Sequence, residues 1–195
     1  MKKRKFPIFL VLGIGLILVS IAMVLTFQIR THLGVKHSQT ILSNMEQILP
    51  ERTAGVPGSY LTSAMPVLEI EDADYVAMLE VPSFAIALPV ADRWDRNALF
   101  SSPCRFYGSA YDNTLIIGGA DDPRQFGFCD EIEHGAQIIV TDMTGAQFTY
   151  TVSKIDRAKH AETQWLMDSD CALTLFRHNV YSMEYIAVRC DLICK

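Results

Sequence analysis

The sequence has five cysteines but no Cys-x-x-Cys pair, and no Cys/His spacing of the kind that holds zinc. Neither a metal nor any other cofactor is therefore expected. There is no internal repeat and no low-complexity segment, so one ordinary domain must account for most of the chain. There is no basic surplus either. From residue 31 onward, 12 Lys plus Arg face 22 Asp plus Glu, a formal net of −10. That balance argues against nucleic acid as a partner and against tight docking on anionic lipid. Finally, no charged residue occurs in the 22 positions from Phe6 to Phe27.

That last absence is the most informative. The run is rich in Ile, Leu and Val, and about 20 such residues cross a bilayer core as a helix. A secretory signal peptide has a shorter apolar core, roughly 7 to 15 residues, before a small-x-small cleavage site. Here Ser20-Ile21-Ala22 lies inside the run, so the reading is an uncleaved anchor. Residues 1–5, MKKRK, form a basic tail. Their charge predicts a cytoplasmic N-terminus, a single span over 6–27 and an extracellular remainder.

From Ile41 to Leu49 the apolar residues fall on one helical face, with Ser38 placed to cap the helix and Pro50 to end it. A juxtamembrane helix and a Gly/Pro/Ser-rich linker or wrap are expected over 28–66, with the folded domain over 67–195. Short apolar runs then follow one another at Tyr75–Val81, Phe84–Val90, Phe106–Ala110, Thr114–Ile117, Ala136–Thr141 and Gln147–Val152. Asp142 to Gly145 looks like a hairpin turn. A short helix is placed at Glu162–Met167.

The stretch from Cys171 to Leu192 reads as two further strands joined by a polar turn, with Arg177 and His178 ending the first and Arg189 inside the second. About eight strands and little helix favour a mostly β fold, a closed barrel or a sandwich. On residue types alone, a solvated Arg and a surface His are the default. Asp121 and Asp122 are either a polar loop or partners for this positive charge, and His134 and His160 read as surface residues. The odd cysteine count leaves at least one thiol unpaired.

Several segments taken together resemble the sortase family, the membrane-anchored cysteine transpeptidases of Gram-positive bacteria. They are Tyr75-Val-Ala-Met-Leu-Glu-Val-Pro-Ser, Ser102-Pro-Cys-Arg-Phe-Tyr-Gly-Ser, Asn113-Thr-Leu-Ile-Ile-Gly, Phe126-Gly with Gly135 and the Val140-Thr-Asp-Met-Thr-Gly hairpin, Leu173-Thr-Leu-Phe, and Val188-Arg-Cys-Asp. They occur in family order. The resemblance implies an eight-stranded barrel. It also implies a Cys thiolate ending the seventh strand, a His acid after the fourth, and an Arg on the eighth steadying the oxyanion. The substrate implied is a Leu-Pro-x-Thr-Gly-like sorting-signal peptide of a surface protein or pilin.

The chain departs from this pattern at two places. Gly119 stands where the His is expected and His178 where the nucleophile is expected. Arg189 is read as the retained oxyanion residue, and Arg177 with Arg189 as a charge able to hold a carboxylate or peptide carbonyl. Without a thiolate at 178 the acyl-enzyme route is lost, and Gly119 offers no proton. The expectation is therefore a degenerate member with a binding or accessory role. Two alternatives stand beside it: an active transpeptidase using another nucleophile, and a purely structural anchored domain. Cys104 and Cys190 are the nearest candidate nucleophiles, and a buried thiol or a disulfide is the expected fate of each.

Overall fold

The structure, a computed structural model, describes residues 6–95, 98–159, 163–168, 170–179 and 182–193, with side chains at all of these except 6–9 and 27–35. The basic tail 1–5, His160, Glu162 and Cys194 lie outside the described residues. One continuous helix, α1 (Phe6–Ile48), takes in both the apolar run and the juxtamembrane segment, which the sequence suggested as separate elements. It ends two residues before Pro50, because the position preceding a proline is pushed out of the helical region. Among the described residues no helix is long and apolar enough to cross a membrane.

Among the described residues ten strands follow: β1 (Thr53–Ala54), β2 (Leu68–Ile70), β3 (Ala73–Val81), β4 (Ile86–Ala91), β5 (Cys104–Tyr107), β6 (Leu115–Gly119), β7 (Gln137–Asp142), β8 (Ala146–Ala158), β9 (Leu173–Asn179) and β10 (Glu184–Leu192). One short helix, α2 (Thr163–Met167), lies between β8 and β9. The spatial order is β1-β8-β10-β9-β6-β5-β4-β3-β2, and β7 pairs with both β3 and β8. That double pairing closes β3 to β10 into the expected eight-stranded barrel and leaves β1 and β2 as short additions.

Several boundaries moved for local reasons. Phe84 is not in a strand, since Pro82–Phe84 forms a single helical turn ended by Ala85 at φ 51°. β5 stops at Tyr107 because Gly108 turns at φ 72°, with a Cβ there barred by Thr114. β8 runs on to Ala158, paired along β10 well past the β7 hairpin. That hairpin closes as its residues suggest. Gly145 takes φ 83°. The buried Asp142 carboxylate accepts from the Thr144 N–H at 2.8 Å, the Thr144 hydroxyl at 2.7 Å and the Ala146 N–H at 2.9 Å. The Tyr111 hydroxyl donates to the same carboxylate at 2.5 Å.

Inward residues alternate along each strand. Leu115 and Ile117, Leu173 and Leu175, and Ile186, Val188 and Cys190 meet in the main core. The linker is a wrap: β1 pairs in parallel with β8, and Tyr60 stacks on Tyr111 with ring centroids 3.6 Å apart. The end of α1 is docked as well, with Ile41 and Met45 fully buried against Ile70, Tyr75, Ala91 and Cys104.

Candidate functional site

The residues singled out by sequence gather around β6, β9 and β10, and their faces follow from register. In the parallel β6/β9 pair, Gly118 lies beside Phe176 and Gly119 beside Arg177. In the antiparallel β9/β10 hairpin, His178 lies opposite Tyr185, Phe176 opposite Ala187, and Thr174 opposite Arg189. Because side chains alternate, Arg177 and Gly119 share the inner face, whereas Thr174, Phe176, His178 and Arg189 share the outer one. The three expected positions are thus split between two faces.

On the inner face Gly119 is covered. A Cβ built there would run into the ring of Phe126, which is fully buried. Phe126 opens a short turn, Phe126–Asp130, that folds back into the barrel mouth. Beside it Arg177 is 1 % exposed and forms ion pairs with Asp121 and Asp130. Asp121 does pair with the positive charge, while Asp122 is taken by Arg124 at 3.0 Å. Arg177 therefore closes the barrel mouth by tying the loop after β6 to the Phe126–Asp130 turn, with both carboxylates already in place.

On the outer face His178 is half-buried and stacks on Tyr185, ring centroids 4.3 Å apart. Arg189 is not beside it. Its register partner Thr174 is four residues back along β9, about 13 Å at a strand's rise per residue. Its guanidinium is also committed. It donates to the Leu166 carbonyl at 2.7 Å, the Trp165 carbonyl at 2.7 Å and the Thr174 hydroxyl at 3.0 Å. The Trp165 ring lies over it at 5.3 Å. α2 is thus pinned down over Arg189, and an oxyanion formed at position 178 would find Tyr185, not Arg189, across the strand.

Between these points the outer face is aromatic. Trp94, Phe106 and Phe176 contact one another with centroids 5.3 to 5.5 Å apart. A Cβ at Gly118 would strike Trp94 and Phe176, so this glycine lets the rings lie on the sheet.

Cys104, Cys129 and Cys190 are free thiols. Burial pushes the Cys104 and Cys190 thiols up from the ordinary value. Burial also pushes Cys129 up to about 12, against the opposing pull of Arg177. A neutral, buried thiol is a poor nucleophile. Cys104 lies under α1 and Cys190 in the barrel core. His134 is exposed, its ring nitrogen 3.0 Å from the Ser153 carbonyl. Among the described residues, no group of His, Cys, Asp or Glu could hold a metal ion.

Phe126, Tyr185 and Trp165 are the residues that sequence reasoning missed. Tyr185 was findable, because a hairpin folded about its turn puts 178 opposite 185 and 174 opposite 189. Phe126 and Trp165 reach the site across loops, and no local pattern places them there.

No curated protein matches the chain at the sequence level. Among solved structures, sortase C1 from Streptococcus agalactiae is similar at TM-score 0.56 and 19% identity, covering 65% of this chain and 72% of that one. Sortase A from Corynebacterium diphtheriae is similar at TM-score 0.55 and 16% identity, covering 87% and 93%. Sortase C from Clostridium perfringens SM101 is similar at TM-score 0.53 and 18% identity, covering 62% and 71%. At these identities the likeness is one of fold. The family model described as Sortase domain matches residues 79–179, just over half of the chain, and with that match the chain belongs to the sortase family.

Proposed function

We propose that this chain is a membrane-anchored, extracytoplasmic sortase-fold protein that has lost transpeptidation and serves as a binding or accessory partner in surface-protein or pilus assembly. One observation carries the reading: neither an acid nor a thiol stands at the ends of β6 and β9, and the arginine of β10 is committed elsewhere. Position 119 is a glycine under Phe126, position 178 is a histidine stacked on Tyr185, and Arg189 is held under α2. An imidazole can be acylated, but an amide is a poor partner for it without further activation.

The anchor rests on sequence and exposure. Phe6 to Phe27 has no charge, MKKRK precedes it, and the large apolar side chains from Leu10 to Leu25 stand exposed along α1. Such a surface suits lipid rather than water.

The test is mass spectrometry of the full-length chain in detergent, incubated with a panel of sorting-signal peptides and an amine acceptor. The expected outcome is intact peptide and unmodified protein. Cleavage of any peptide, or a covalent adduct on the chain, would overturn the reading and direct the search to another nucleophile.

A further inference from the structure

β4 has one paired edge and one largely unpaired edge. Along β3 it is matched from Ile86 to Ala91. Along the other side, β5 joins it at Ala91 alone, opposite Cys104, where the Ala91 N–H donates to the Pro103 carbonyl at 2.9 Å. Backbone groups alternate in direction along a strand, so Pro89 and Ala87 present theirs on the same side as Ala91. Pro89 fits this assignment, since a proline in a sheet sits where its missing N–H would not have met a neighbour. Ala87 keeps both an N–H and a C=O on that edge, and no described strand pairs with them.

The edge opens on a cleft of about 420 Å³. Ala87 and Leu88 of β4, Phe100, Asp121, Asp122 and Ser38 of α1 are among the residues that line it. Ser38 supplies a second, independent sign of a missing ligand. The residue is 5% exposed and its hydroxyl has no hydrogen-bond partner among the described residues. A mid-helix hydroxyl ordinarily bonds back to a carbonyl one turn earlier, as Thr40 does to the Lys36 carbonyl at 3.0 Å. The Ser38 hydroxyl is left for something that enters the cleft.

We propose that this cleft receives an extended peptide of a partner protein as an added strand on β4, its main chain pairing with Ala87 and the Ser38 hydroxyl making a further main-chain bond. An unpaired edge of this kind is complemented by another extended main chain. Leu88 and Phe100 favour apolar side chains on the inward face. Asp121 and Asp122 are balanced by Arg177 and Arg124, so charge preference comes from the domain's overall acidity, net −10 beyond residue 30. That excess favours a peptide with basic flanks. The site is separate from the ends of β9 and β10 and stands whether or not any chemistry survives there.

The test titrates the full-length chain, in a neutral maltoside micelle, with fluorescein-labelled Lys-Lys-Thr-Val-Thr-Val-Thr-Val-Lys-Lys, read by anisotropy. Saturable binding is expected, weakened about tenfold when the central amides of the peptide are N-methylated, since a methylated amide cannot donate to a strand edge. Ala87→Pro should weaken it similarly. It removes only the N–H on the cleft side and leaves the pairing to β3. Ser38→Ala should weaken binding about threefold. Equal affinity for the methylated peptide, which leaves the protein untouched, would mean charge attraction alone and would overturn the proposal. So would the absence of saturation up to roughly 1 mM.

Discussion

At the scale of single residues, Gly119 and Phe126 work as a pair. The ring occupies the volume a side chain at 119 would need, so Gly119→Ala is expected to destabilise the fold by about 1–3 kcal/mol through overpacking. In a double-mutant cycle with Phe126→Ala, measured by urea unfolding, the two costs should fall short of additive because the smaller partner makes room. Strict additivity would show that the ring does not close this position. Placing His at 119 and Cys at 178 would meet the same obstacle unless Phe126 were also reduced. Cys129 gives the other residue-scale prediction. Its thiol stays neutral in the fold up to about 12, whereas in the unfolded chain it ionises from its ordinary value of 9.0. The unfolded state therefore sheds its proton first. The contribution is whole below pH 9 and is lost as pH climbs from 9 towards about 12. Cys129→Ala should flatten the fall in stability over that window, and an unchanged slope would assign it to Cys190 and the buried tyrosines. The sequence showed which residues fill positions 119, 178 and 189. It left their faces open, because a face is fixed by register, and it offered Asp121 but not Asp130 as a partner for Arg177.

Among the elements, α2 leans on a distant side chain as well as on the packing of Trp165 and Leu166 against the β6, β9 and β10 surface. Five residues cannot hold a helix alone, since its nucleus is costly and its carbonyls lack partners. Arg189 supplies what is missing by donating to the carbonyls of Trp165 and Leu166. Arg189→Lys retains the charge but not the planar fork. Hydrogen exchange should then accelerate across 163–167 while β9 and β10 keep their protection. Equal loosening of both strands would mean that Arg189 supports the sheet rather than the helix. Strands were legible wherever branched or aromatic residues alternate between turn residues, as at β3, β7 and β8. β1 and β2 were not, because two or three residues carry no period and owe their strand form to the neighbours β8 and β3. Phe84 went astray because a proline turn overrides the β preference of an aromatic.

For the molecule as a whole, the decisive packing is that of α1 on the barrel. Ile41 and Met45 are fully buried among Ile70, Tyr75, Ala91 and Cys104. Ile41→Ala should cost about 2–5 kcal/mol of that docking. The effect should appear as faster exchange over 38–48 with the barrel core still protected. Loss of protection throughout would mean that the helix belongs to the barrel's own cooperative unit. Helical periodicity foretold this contact face but not its partner, which is assembled from residues 70 to 104. The unbroken course of α1 has a further consequence if its first half is anchored in a bilayer as proposed. Eleven residues separate Phe27 from Ser38, a rise of about 17 Å. A stiff rod of fixed length would hold the cleft at one height above the lipid, where a flexible tether would let it roam. A partner leaving the same membrane could reach it only with about five extended residues between its own span and the docked segment. The helix would then act as a ruler, selecting partners by reach as well as by sequence.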